Sequence, residues 1–198
     1  MENDRTEALK KIRDEVLSLK DSPLYQYRLS NNFFPVIGKG NHYAKIVLIG
    51  EAPGLQEAKC GHPFVGKSGK VLDSLLSEVN LSREEIYITN IVKDRPPNNR
   101  NPKPEEIEVY KPFLNRQLNI IKPMVIATLG KFAMDYIGQF FNLTDRLSKI
   151  TQCHGKVFKT DSEWGEINII PLYHPAVATY SPNMLKVLEE DFEKIIQI

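Results

Sequence analysis

Four short apolar-rich segments punctuate the chain, and apolar stripes at helical spacing lie between them. Lys45–Ile49, Ile86–Val92, Met124–Leu129 and Ile167–Leu172 have strand length, and the continuous apolar run of the first suits a parallel strand buried on both faces. Leu9, Ile12, Val16 and Leu19 recur at helical spacing and predict a helix over 5–20. Leu72, Leu75, Leu76 and Val79 mark a second, and similar patterns predict helices over 104–121, 131–141 and 183–196. Residues 21–44, with Pro23, Pro35, Gly38 and Gly40, read as irregular. Alternating strands and helices define the α/β class. The expected architecture is a three-layer α/β/α sandwich around a central four-stranded, mainly parallel sheet. No repeat, low-complexity tract or long linker divides the sequence, so residues 1–198 read as one domain.

The composition narrows the function. At 198 residues with 41% hydrophobic and 26% charged positions, the chain affords an ordinary core and is not disordered. A net charge of +1 excludes the broad positive field of a chromatin-type binder but permits a small basic patch. Two cysteines, Cys60 and Cys153, fit a reducing cytosol better than a disulfide scaffold. No apolar run approaches the ~20 residues that span a bilayer, and the mixed-charge start carries no signal-peptide pattern. A cytoplasmic monomer with no membrane partner is the expectation.

Ligands of open α/β sheets bind outside the carboxyl ends of the strands, which here open into the loops Gly50–Gly69, Asn90–Pro104 and His174–Pro182. Gly61–Ser68 satisfies the P-loop pattern, but it begins eleven residues after Gly50 rather than at the strand end. Pro63 removes a backbone donor, Phe64 puts a ring where phosphate must approach, and no later strand ends in a magnesium-organising Asp. Nucleotide hydrolysis is therefore set aside. Cys60 and His62 with Cys153 and His154 match no usual zinc spacing, so no metal site is expected.

The same loops fit another pattern. Gly50-Glu51-Ala52-Pro53-Gly54 followed by Gly61 to Gly69, then Tyr87 to Pro102, then His174-Pro175-Ala176, resemble in order and spacing the motifs of family 4 uracil-DNA glycosylases. The resemblance covers about residues 45–180 and implies a monofunctional enzyme that flips uracil out of single- or double-stranded DNA and leaves an abasic site. It places Gly50, Ala52, Phe64, Asn90 and Glu57 around the base, with Phe64 as the stacking platform. An Asn90 amide can donate to uracil O4 while accepting from N3–H, a pattern that cytosine reverses. His174 is positioned to donate towards the uracil O2 that gains charge as the bond breaks, as in an oxyanion hole. Glu51 would stabilise the cationic sugar or position water, and Asn99 is a further candidate for orienting water or substrate. Lys93, Arg95 and Arg100 form a small basic patch for phosphates.

Two departures stand out. Most members of that family hold a four-cysteine iron–sulfur cluster, whereas Asp94 stands at one ligand position here and Tyr110 near another. No cluster is expected. The loop after His174 carries the small Ala178 where related enzymes place a bulky wedge, leaving Val177 or Tyr180 as substitutes. These departures keep open a DNA-binding relative without activity, or a glycosylase for another deaminated base such as hypoxanthine.

Overall fold

The computed structural model describes the backbone of residues 2–198, with side chains described from Asp4 onward. Eight α-helices occur among the described residues: α1 (Glu2–Leu17), α2 (Tyr25–Ser30), α3 (Leu55–Cys60), α4 (Lys67–Glu78), α5 (Pro104–Ile121), α6 (Lys131–Phe140), α7 (Ile150–Cys153) and α8 (Pro182–Ile196). Six strands form one sheet: β1 (Lys39–Gly40), β2 (Ile46–Gly50), β3 (Tyr87–Asn90), β4 (Val125–Leu129), β5 (Phe158–Ser162) and β6 (Gly165–Leu172). Their spatial order is β1-β3-β2-β4-β6-β5, so the four expected strands are the parallel centre and an antiparallel strand closes each edge.

The four-stranded expectation is thus corrected to six. Neither edge strand carries the apolar run of a strand buried on both faces. β1 has two residues, one of them glycine, and β5 (Phe-Lys-Thr-Asp-Ser) alternates half-buried and exposed positions against a single neighbour. α2 also lies inside the stretch expected to be irregular; six residues are too few to show a helical period. The first helix ends at Leu17 rather than 20, where the Arg28 guanidinium takes the carbonyls of Val16 and Leu17 at 3.1 and 2.7 Å. β3 stops at Asn90 because Ile91 and Val92 turn their N–H groups onto the carbonyls of Gly50 and Glu51.

Alternation along each strand sorts the core into two layers. Val47 and Ile49 of β2 face α1, α5 and α6, meeting Ile12, Leu114 and Ile137, while Leu48 faces α4 and α8, meeting Leu72, Leu75 and Phe192. With every central strand covered on both sides, the strand ends Gly50, Asn90 and Leu172 are held on a rigid base.

Candidate active site

Gly50 and Asn90 are paired in register at the ends of β2 and β3. A Cβ at Gly50 would collide with Oδ1 of Asn90 and with the Phe64 ring, so the missing side chain lets those two groups converge. Around them opens a cavity of about 420 Å³ whose wall includes Glu51, Ala52, Glu57, Phe64, Asn90, Asn99, Arg100, His174 and Tyr180. Loops from three distant parts of the sequence therefore meet where the strand ends required. Asn90 is 2% exposed, and among the described residues its side-chain amide has no protein partner, so donor and acceptor are both left for a ligand.

Phe64 is held under constraint. Its φ of 52° is left-handed, a costly conformation for a bulky side chain. The guanidinium of Arg83 donates to the Phe64 carbonyl at 2.6 Å and the Pro63 carbonyl at 3.1 Å, and its Nε donates to Asp73 at 2.6 Å. From the other side Oε1 of Glu57 accepts the N–H groups of Val65 and Gly66 at 2.9 and 2.7 Å. The Phe64 carbonyl leaves no room for a Cβ at Gly69. Glu57, expected at the base, thus borders the cavity while one of its oxygens fixes the loop. Its carboxylate takes the very N–H groups a P-loop would give to phosphate, which excludes that motif on physical grounds. Arg83 was missed because a lone surface arginine far from the motifs carries no sequence signal.

His174 follows β6 and caps a short 3₁₀ helix, Pro175–Thr179. Its Nδ1 accepts the N–H of Ala176 at 3.2 Å, so the ring proton belongs on Nε2. Burial pulls its pKa down to about 4, opposed by the nearby Glu57 charge, and the ring lies 5.7 Å from that of Phe64. The donor is a neutral imidazole. Burial acts oppositely on Glu51 and lifts its pKa to about 6, leaving it ionised at neutral pH. Among the described residues the Glu51 carboxylate has no protein partner, which leaves it directed at whatever fills the cavity.

The basic patch is not as expected. Lys93 is fully buried, its Nζ donating to the Thr89 hydroxyl, the Asn90 carbonyl and Gln117 Oε1 at 2.8, 2.6 and 2.6 Å, so it cannot reach a phosphate. Three acceptors satisfy the ammonium inside the fold, and burial lowers its pKa well below the usual lysine range. Arg95 is spent on Asn99 Oδ1 and the Tyr27 hydroxyl at 2.7 and 2.9 Å, and Arg100 forms a fork with Glu106. Val177 and Ala178 pack partly buried on the core beneath α8, whereas Tyr180 on the cavity rim is 89% exposed. A second basic surface went unread in the sequence. Lys59, Lys67 and Lys70 line a shallow groove that meets the Phe64 loop at Val65 and Gly66, and among the described residues no carboxylate pairs with them.

The model of the uracil DNA glycosylase superfamily matches residues 37–197. The chain is 44% identical over 193 residues to the type-4 uracil-DNA glycosylase of Sulfurisphaera tokodaii, covering 97% of this chain and 85% of the relative. It is 43% identical over 190 residues to that of Archaeoglobus fulgidus (96% and 92%), and 36% identical over 193 residues to that of Thermotoga maritima (96% and 94%). The chain belongs to the type-4 branch of the uracil-DNA glycosylase superfamily.

Type-4 uracil-DNA glycosylases are associated with an iron–sulfur cluster, and the residues of this one do not fit it. The Asp94 carboxylate and Tyr110 hydroxyl are bonded to each other at 2.6 Å, and neither supplies a thiolate. Cys60 is exposed on α3, while Cys153 is buried with its thiol on the Arg146 carbonyl. His154 follows α7 and binds Asp191 at 2.8 Å. Among the described residues no group of three or more His, Cys, Asp and Glu is arranged to hold a metal ion.

Proposed function

We propose that this type-4 glycosylase removes uracil from DNA by hydrolysing its N-glycosidic bond. The observation that carries this reading is one cavity bordered by a carboxylate and an amide that have no partner among the described residues, a neutral imidazole and an aromatic ring: Glu51, Asn90, His174 and Phe64. Uracil stacks on Phe64 while Asn90 takes its O4 and N3–H edge. The bond from C1′ to N1 breaks with its electron pair on the base, and the His174 Nε2–H stabilises the charge gathering on O2. The ionised Glu51 faces the cationic sugar and guides water to C1′; the water's proton returns to the uracil anion. Asn99 on the cavity wall orients the nucleotide.

Tyr180 fills the stack that the extruded base vacates, since it is the large exposed aromatic on the rim. Lys59, Lys67 and Lys70 grip phosphates of the flanking strand. With both a wedge and a phosphate groove, the enzyme accepts double- as well as single-stranded DNA. It works as a cytoplasmic monomer; among the described residues no helix is long and apolar enough to cross a membrane. The testing experiment offers oligonucleotides bearing one uracil, hypoxanthine or thymine, followed by alkali. Cleavage at uracil is expected. Cleavage at hypoxanthine alone would move the assignment to another base, and tight binding without cleavage would leave a DNA-binding protein.

A further inference from the structure

Asp94 and Tyr110, which stand at and near two of the family's cluster-ligand positions, belong to a closed set of hydrogen bonds. Ser22 Oγ lies 2.8 Å from Tyr110 Oη, which in turn donates to Oδ2 of Asp94 at 2.6 Å. Nη1 of Arg28 reaches the two carboxylate oxygens of Asp94 at 3.2 and 3.1 Å. The same guanidinium holds the Val16 and Leu17 carbonyls at the end of α1 and lies 4.9 Å above the Tyr25 ring. Ser22, Arg28, Asp94 and Tyr110 are each at most 5% exposed. A charge pair in so dry a site persists only when further hydrogen bonds support it, and here the Tyr110 hydroxyl donates to the carboxylate while the guanidinium donates to two backbone carbonyls.

The set joins four parts of the chain: the end of α1, α2, the loop after β3, and α5. Asp94 stands four positions after Asn90 and five before Asn99, between the base-facing amide and the cavity wall. Its two neighbours are tied to the same side of the molecule. The Lys93 carbonyl accepts the Val36 N–H at 2.7 Å, and Arg95 donates to the Tyr27 hydroxyl of α2 at 2.9 Å. The wall segment 95–100 therefore hangs from α2 through adjacent residues, with the Arg28–Asp94 pair as its buried anchor.

We infer that Ser22, Arg28, Asp94 and Tyr110 form an ion-paired brace that takes the structural place of the iron–sulfur cluster, and that Asp94 is through it a positioning residue for the cavity wall. Such a brace needs neither iron nor sulfide and offers oxygen no cluster to destroy. It orders the segment carrying Asn99 and Arg100, whereas Glu51, Asn90 and His174 are fixed independently at strand ends. The brace governs how DNA is held more than how the bond breaks.

The test uses the full chain expressed with iron and sulfide supplied and purified without oxygen. Bound iron and visible absorbance are measured first. Neither is expected, and one cluster per chain would overturn the replacement. Asp94→Asn and Arg28→Met are then compared with the wild type in melting temperature and in steady-state excision from a uracil oligonucleotide, well below each melting midpoint. Each variant should melt about 10 °C lower. KM should rise about tenfold while kcat falls less than about threefold, and the double variant should be hardly worse than either single one, as coupled partners require. Only the KM and kcat arm rests on the uracil reading; iron content and melting do not, so the two can fail separately. Unchanged melting and KM would refute the brace. Lower melting with unchanged KM would refute the positioning role. Should Asp94→Asn not fold, Tyr110→Phe and Ser22→Ala carry the test, with smaller shifts of the same sign expected and no shift in either overturning the inference.

Discussion

The N–H of Ala176 points at Nδ1 of His174 at 3.2 Å, and this single contact fixes where the histidine keeps its proton. With Nδ1 accepting, only Nε2–H is left to donate, and burial keeps the ring uncharged down to a pKa of about 4. The His174 donor therefore survives through the pH range in which a free imidazole titrates. The carboxylate of Glu51, lifted to about 6 by burial, does titrate there. Excision should fall as the pH drops through about 6 because Glu51 gains a proton. A single-turnover pH profile checks this: Glu51→Gln should be slower throughout and lack that limb, and an identical limb in both proteins would exclude Glu51 as its source.

The same burial carries a stability cost of known sign. The folded-state pKa of Glu51 lies above its ordinary value of 4.5, so the folded protein binds the proton more tightly than the unfolded chain does. The associated stabilisation is complete below about 4.5 and is lost as the pH rises through about 6. Glu51→Gln should accordingly melt higher than the wild type at neutral pH, with the gap closing in acid. Thermal melts at the two pH values decide it.

Phe64 is kept left-handed by its neighbours, so its position should depend on residues that never touch DNA. Gly69→Ala sets a Cβ against the Phe64 carbonyl and should cost about 100-fold in kcat/KM, the scale of a group displaced by an ångström. Arg83→Met, which removes the bonds to Pro63 and Phe64, should cost about tenfold. Circular dichroism of both variants should match the wild type, and full activity in either would show that the loop holds itself.

Asn90 is the residue expected to distinguish uracil from cytosine. Replacing its NH₂ donor by an oxygen in Asn90→Asp removes the bond to O4 and supplies an acceptor for the cytosine amino group. Uracil excision should fall about 100-fold, as for sites that lose a required hydrogen bond. The cytosine-to-uracil rate ratio should rise at the same time. Unchanged preference would show that another group reads the base.

With Lys93 buried and Arg95 and Arg100 paired, the proposed reading assigns phosphate binding to Lys59, Lys67 and Lys70. Changing all three to Gln should weaken binding to a uracil oligonucleotide and reduce the slope of log K against log salt by about 0.9 for each phosphate no longer neutralised. The rate at saturating DNA should hold within about twofold. An unchanged salt slope would place the strand elsewhere.

The parallel centre of the sheet was legible because its strands are largely buried on both faces and read as short apolar-rich segments, Lys45–Ile49 the most continuous. Lys39–Gly40 and Phe158–Ser162 were not, since an edge strand with one neighbour needs no such run. That Glu51, Phe64, Asn90 and His174 meet at one cavity could be anticipated because strand ends and glycine-flanked loops leave local marks. Whether Lys93 meets solvent or the core is decided by Thr89, Asn90 and Gln117, and a charge count along the loop registers only its sign. The brace was half visible: Asp94 and Tyr110 stand where thiols are expected, but only the fold brings Ser22 and Arg28 to them.

The proposed mechanism turns on a neutral His174 that stabilises the departing uracil as the glycosidic bond breaks. Its most direct test is the single-turnover rate of uracil release from an oligonucleotide in excess chelator, measured for the wild type and His174→Ala alongside their DNA affinities. The wild type should leave an alkali-labile site. The variant should be slower by about 10²–10³-fold, the usual loss of an oxyanion donor, while binding DNA within about threefold of the wild type. Equal rates in the two proteins, or no release by the wild type, would contradict the account.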